Sequence, residues 1–278
     1  MFLNLPWYTY DFEVFAHEWL VDIKEMEGEH QVISDSDELR EFMQDNENAI
    51  FCGFNTKHYD RFIMTAAVYG NEPEEIKSLN DFIISGGNGW DHRLMISQKF
   101  WFNNVDIMDD LQDGQSLKSL EGQMYMDIKE TEVDFNLHRS LTDEERERTI
   151  RYCQHDVDAT EQITKLRKTY LKTKIDIGAM AGIEPEKALG MTNAKLTAAF
   201  LGAELPEKPW TDERQYKYPA NLRMEYVPQE VIAFFDRMKD SSIPDEVLWK
   251  TNLKINIGGT PTTVGFGGVH AAIPNYMW

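Results

Sequence analysis

The feature that most constrains this chain is the run Trp7-Tyr8-Thr9-Tyr10-Asp11-Phe12-Glu13-Val14-Phe15. Aromatic and β-branched residues dominate it, and no Gly or Pro follows Pro6, so it reads as a β-strand. Side chains alternate across a strand, which puts Asp11 and Glu13 on one face and Tyr10, Phe12 and Val14 on the other. Two neighbouring carboxylates repel each other. They are tolerated on the solvated face of an edge strand, or around a divalent cation. An isolated Asp-x-Glu more often means the edge strand, so the decision rests on the rest of the chain.

The 278 residues, 42% of them hydrophobic, suffice for one large domain or two ordinary ones. No run approaches the length of a membrane span, so no membrane partner is expected. Met1–Pro6 lacks the basic region and apolar stretch of a signal peptide. Cys52 and Cys153 fall in strand-like and helix-like contexts and read as buried thiols of a cytoplasmic protein rather than a disulfide. The net charge of -20 is uneven: residues 1–174 hold 35 of the 48 acids and 18 of the 28 bases. That balance argues against a general phosphate-backbone binder, which carries a basic stripe. It is compatible with a nucleic-acid enzyme whose acidic centre meets phosphates through metal ions.

Further along, His17–Lys24 and His30–Ile33 read as a hairpin with Gly28 in its turn. A helix follows over about Asp37–Gln44, capped from Ser34–Ser36. Ala49–Phe54 is an apolar run suited to a strand covered on both faces. A polar turn then leads into a helix starting near Tyr59, with Phe62, Ile63 and Ala66 at helical spacing. Asn55 suits the turn and Asp60 the first turn of that helix. Pro73–Trp101 reads as two helices broken by Gly86–Gly89, Asn104–Ile107 as a short strand, and Ser116–Leu120 as a helix start. Thr142 and Glu145 form a capping-box pattern, opening a helix expected to reach about Thr173. Tyr152 and Asp156 share a face of it. The basic cluster Lys165, Arg167, Lys168, Lys172 and Lys174 reads as its solvated end.

Taken in order, Asp11-x-Glu13, Asn55-x-x-x-Tyr59-Asp60 and Tyr152-x-x-x-Asp156 resemble the three motifs of the 3'–5' exonucleases with four acidic residues, of the ribonuclease H-like superfamily. The Tyr-x-x-x-Asp spacing is that of the tyrosine subtype; the histidine subtype has His where this chain has Arg151. The resemblance spans residues 7 to about 170, and Ser116–Leu120 and Leu141–Glu145 also look like parts of proofreading domains. It implies an α/β fold with a mixed central sheet flanked by helices. It further implies two Mg²⁺ ions, replaceable by Mn²⁺, held by Asp11, Glu13, Asp60 and Asp156, with Asp11 bridging them. Tyr152 would orient the attacking water; with a reference pKa near 10 it is a poor general base at neutral pH. Phe12, Asn55, Tyr59, Ser116, Leu117 and, more weakly, Lys129 would contact the DNA 3' end.

From Ile175 the composition changes, with Pro-rich stretches near Pro206–Pro209, Pro219, Pro228 and Pro244. A domain boundary is placed there: 1–174 as exonuclease domain, 175–278 as an α+β connecting region. Val231–Phe235 reads as a helix core and Lys250–Val269 as strands turning at Gly258-Gly259. Gly265–Tyr276 resembles the junction between exonuclease and polymerase regions of phage-type DNA polymerases, family A or B. The expected partner is therefore the rest of a polymerase (palm, fingers and thumb), with no nucleotide incorporation by this chain alone. Two alternatives stay open: a free-standing exoribonuclease, and a catalytically silent nucleic-acid-binding module.

Overall fold

The strand carrying Asp11 and Glu13 is not an edge strand. In a computed structural model, which describes residues 5–109, 111, 114–203, 218, 220–240, 242–265 and 268–271, it forms β1 (Trp7–Val14) in the middle of a five-stranded sheet. On one side β2 (Trp19–Glu25) pairs antiparallel with β1, and β3 (His30–Ile33) antiparallel with β2. On the other, β4 (Ile50–Gly53) runs parallel to β1, and β5 (Asn103–Asp106) parallel to β4. The fold is thus α/β with a mixed sheet.

Both sheet faces are covered, which explains why β4 is apolar on both sides. Tyr10, Phe12, Val14 and Phe51 point into a core with Leu39 and Met43 of α1 (Ser36–Asp45), Phe62 and Ile63 of α2 (Asp60–Val68), Ile76 and Leu79 of α3 (Pro73–Ile84), and Leu94 of α4 (Arg93–Ser97). Trp7, Ile50, Cys52 and Val105 point the other way. There they meet α5 (Leu117–Gln123), α6 (Asp143–Leu166), α7 (Lys168–Met180) and α8 (Pro185–Leu189) through Leu117, Ile163, Leu171 and Leu189. Burying each large apolar side chain of this kind stabilises the fold by about 1.5–3 kcal/mol. Both cysteines are buried and free.

Local signals account for most element ends. Asp35 caps α1 by accepting from the Asp37 and Glu38 amides. Thr142 and Glu145 form the expected capping box at α6. Two expectations change. The helix opened by Thr142 does not run unbroken to Thr173 but ends at Leu166, and α7 restarts at Lys168. At the break the Arg167 guanidinium donates to the carbonyls of Ile107 and Asp109 and lies 4.5 Å from the centre of the Tyr170 ring. Nor is the basic cluster wholly solvated. Lys174 is 3% exposed and donates to the Met191 carbonyl at 2.6 Å.

The chain divides into two compact units, Met1–Glu204 and Leu205–Trp278. The boundary expected near residue 175 falls inside α7, where Ile175 packs on the second core. The first unit continues through α8 and α9 (Asn193–Phe200) because Ala188, Met191 and Leu196 close a small core of their own. The second unit contains α10 (Gln229–Asp236), α11 (Asp245–Lys250) and an antiparallel sheet of β6 (Leu253–Ile257), β7 (Thr260–Gly265) and β8 (Gly268–Ala271). Gly258 and Gly259 take positive φ in the β6–β7 turn, as anticipated. Of the junction-like segment, Phe266, Gly267 and residues 272–278 lie outside the described residues.

Gly53 ends β4 where the chain must turn tightly. A Cβ there would sit 2.1 Å from the Thr56 methyl and 3.1 Å from the Tyr10 carbonyl oxygen. Gly53→Ala is expected to destabilise the fold by about 1–3 kcal/mol, read as a lower urea midpoint with unchanged m-value.

Candidate metal centre

The register of β1 creates the site. β1 pairs with β4 only from Trp7 to Thr9, whereas its pairing with β2 continues to Val14. Asp11 and Glu13 therefore outrun β4 at the carboxyl end of the central strand, where open α/β sheets place their ligands. The chain leaving β4 turns through Asn55, whose φ of 62° is a left-handed conformation that Asn tolerates. Asp106 at the end of β5 fixes this turn. Its carboxylate accepts from the amides of Asn55, Lys57 and Met108, each at 2.9 Å. The turn delivers Asp60, the first residue of α2, beside the projecting end of β1.

The third contributor is α6, which packs on the Asp11–Glu13 face. Cys153 donates its thiol proton to the Asp11 carbonyl at 3.4 Å, and Asp156 lies one turn further along. Ligand atoms of Asp11, Glu13 and Cys153 all lie within 4.8 Å of one another. Burial holds the Cys153 thiol well above its usual pKa, with Asp11 and Glu13 adding to the effect. It is a neutral neighbour at pH 7 rather than a thiolate ligand. The oxygen donors are what remain, and they suit a hard divalent cation.

Electrostatically the cluster is strained. Burial, then the charges of Asp60, Glu13 and Asp156, raise the Asp11 pKa well above the carboxylate range. Burial followed by Asp156 and Asp60 does the same to Glu13. Asp60, 2% exposed, is pushed up to about 8 by burial, against the pull of its own and the Phe12 amides. Its Oδ1 is buried with no hydrogen-bond partner. An orphaned carboxylate oxygen beside three more acids fits a site that accepts a cation.

Asp11, Phe12, Glu13, Tyr59, Tyr152 and Asp156 line a cleft of about 450 Å³, with Phe135 and Asn136 of the loop before α6 on its rim. Tyr152 is half-buried, and its hydroxyl pKa is raised by burial and by Asp156, so it stays protonated. Tyr59 also lines a neighbouring cleft of about 730 Å³ with Asn55, His58 and the Gly86–Trp90 loop. Lys129 is exposed in a third cleft that shares Tyr152. Three candidates for DNA contact also serve the fold. Phe12 is 3% exposed and packs in the core with Trp19, which leaves little ring for stacking. Ser116 caps α5 in a box with Ser119, and Leu117 packs on the second core; neither lines these clefts.

Other residues at the site carried no readable signal. Lys118, next to Leu117, pairs with Asp156 at 2.5 Å. Asp22 stands directly across from Asp11 on β2, fully buried and bonded to His30 at 2.6 Å. No protein-family model and no curated protein matches the chain.

The raised pKa values fix a pH dependence. Asp11, Glu13 and Asp60 hold their protons more tightly folded than unfolded, so their contribution to stability is full at low pH. It is lost as pH rises from about 4 towards the folded pKa of Asp60 at about 8. In EDTA, thermal melts should show stability falling over this window. Asp60→Asn is expected to flatten the fall and to stabilise the protein at pH 8 by about 1–3 kcal/mol. An Asn variant with the wild-type slope would count against a strained Asp60.

Proposed function

We propose that this chain is a metal-dependent 3'–5' exonuclease that hydrolyses the terminal phosphodiester of DNA and releases nucleoside monophosphates. The observation that carries the reading is that Asp11, Glu13 and Asp156, from distant segments, line one cleft, and that the charge of Asp60 reaches Asp11 and Glu13. These are the four positions at which the motifs resemble the four-acid exonucleases. The mixed five-stranded sheet with helices on both faces is also what a ribonuclease H-like fold requires.

In this reading Asp11, Glu13, Asp60 and Asp156 hold two Mg²⁺ ions, or Mn²⁺, through carboxylate oxygens. When bound, such a pair polarises the scissile phosphate and stabilises the attacking and leaving oxygens. The chain's own groups do the rest. Tyr152 keeps its proton, so its hydroxyl can orient the attacking water but not deprotonate it. Tyr59, which lines two clefts and has its hydroxyl steadied by Asn80 at 2.5 Å, would contact the terminal base. A frayed or single-stranded end is the natural substrate, because a paired end must first be unstacked. The polymerase-like character of the Gly265–Tyr276 segment favours a proofreading role beside polymerase palm, fingers and thumb elements.

Degradation of a 3'-labelled DNA strand in Mg²⁺, with an EDTA control, tests the assignment. Asp11→Ala should lower the rate by on the order of 10³, the effect of losing several kcal/mol of charge stabilisation. A largely retained rate would remove Asp11 from the centre. Preferential cleavage of a matched RNA oligomer would replace the reading with an exoribonuclease, and metal-independent binding without cleavage would replace it with a silent module. Tyr152→Phe should slow hydrolysis by roughly 10- to 100-fold with little change in DNA affinity, because one positioning hydroxyl is lost and the ring is kept. Unchanged turnover would refute its water-orienting role.

A further inference from the structure

Lys118 sits in the first turn of α5, and its ammonium lies 2.5 Å from Asp156 Oδ1 and 4.8 Å from the centre of the Tyr152 ring. It is the cation that offsets the carboxylate charge felt by Asp11 and Glu13. One turn along the same helix, Glu121 is fully buried, with Oε1 3.3 Å from the Lys118 ammonium and Oε2 without a partner. His155 brings Nε2 to 3.6 Å from Glu121 Oε1, also buried without a hydrogen bond. A buried carboxylate with a spare oxygen is costly unless a donor can reach it. The ammonium that reaches it, that of Lys118, is already engaged with Asp156.

We propose that Lys118 is an exchangeable counter-cation of the metal centre: it pairs with Asp156 until a divalent ion takes that carboxylate, then withdraws onto Glu121. The inference rests on the reading of Asp156 as a metal ligand. Lysine suits the task, being a point charge on a flexible four-carbon stem with three donors. The helix beneath it need not move, since the Ser116–Ser119 capping box anchors the start of α5. Between the two positions the ammonium stays near the Tyr152 ring, whose negative face stabilises it. Metal ion and ammonium cannot share Asp156 without mutual repulsion, so Lys118 lowers the affinity of the centre, and Glu121 determines by how much.

The test is a Mn²⁺ titration of the full chain, followed by the electron paramagnetic resonance signal of free Mn²⁺, with thermal melts alongside. Lys118→Met removes the competitor while keeping side-chain length, and should tighten Mn²⁺ binding by roughly tenfold and enlarge the melting-temperature rise on adding Mn²⁺. Glu121→Gln weakens the alternative position, leaves Lys118 on Asp156, and should loosen binding by about threefold or more. Opposite shifts in two adjacent variants are what a merely structural role would not produce. Unchanged or weaker binding in Lys118→Met, or shifts of the same sign in both, would overturn the proposal. Wild-type binding that depends on Asp11, shown by its loss in Asp11→Asn, but ignores Lys118 would sink this inference alone. No Asp11-dependent binding at all would sink the functional reading with it.

Discussion

Everything at this site follows from forcing like charges together at the end of a central strand. Asp11 and Glu13 share a face by the alternation of β1, and α6 brings Asp156 to that face. Close packing of α6 is secured elsewhere, by Trp7, Cys52, Ile163 and the fully buried Val157 and Ala159. The apolar contacts of the helix thus hold a polar cluster that would separate if left to itself. Strain of this kind persists only where the surrounding structure over-determines it, and it is the pre-organisation that a cation-binding site needs.

The fourth acid reaches the cluster by a different device. Asp60 depends on a turn whose conformation is set by Asp106, not by any residue of the cluster. Asp106 is itself buried and held above its usual pKa by burial, yet three backbone amides keep it engaged. Gly53 leaves room for Thr56, Asn55 supplies the left-handed step, and the amide of Phe12 faces the Asp60 carboxylate. Strand, turn and helix start are therefore one mechanical unit. Its geometry is specified by residues outside the cluster of acids.

That division explains what was readable from the sequence. The alternation of β1, the capping box at Thr142 and the Gly258-Gly259 turn are local, so residue type and spacing reveal them. Asp11, Glu13, Asp60, Tyr152 and Asp156 were legible as candidates because their motifs are short and ordered. Lys118, Glu121, Asp22 and Asp106 were not, because their roles exist only across the sheet or between helices. Asp22 matters through cross-strand register with Asp11, and Lys118 through the packing of α5 on α6. The burial of Phe12 against Trp19 is unreadable for the same reason: in sequence Phe12 is an aromatic beside two acids, and its packing exists only across the sheet. The break at Arg167 arises from carbonyls some sixty residues away, which no helical propensity encodes.

The acidic balance of the chain then bears on how a polyanion approaches. Arg148 and Arg151, in the cleft behind Tyr152, are engaged with Glu144 and Glu147 on their own helix, which mutes them as phosphate anchors. Lys57, beside Asn55, is likewise tied to Asp109. On the proposed reading, a duplex laid along this surface would meet few free cations, and non-specific backbone binding would be weak. A single frayed end has less charge to neutralise, and its bases can meet apolar surface around Tyr59, Ile84 and Trp90. The same excess of carboxylate that repels a phosphate backbone raises the local concentration of divalent cations. On the proposed reading, charge and shape would therefore favour an end over a length of DNA before any base is read.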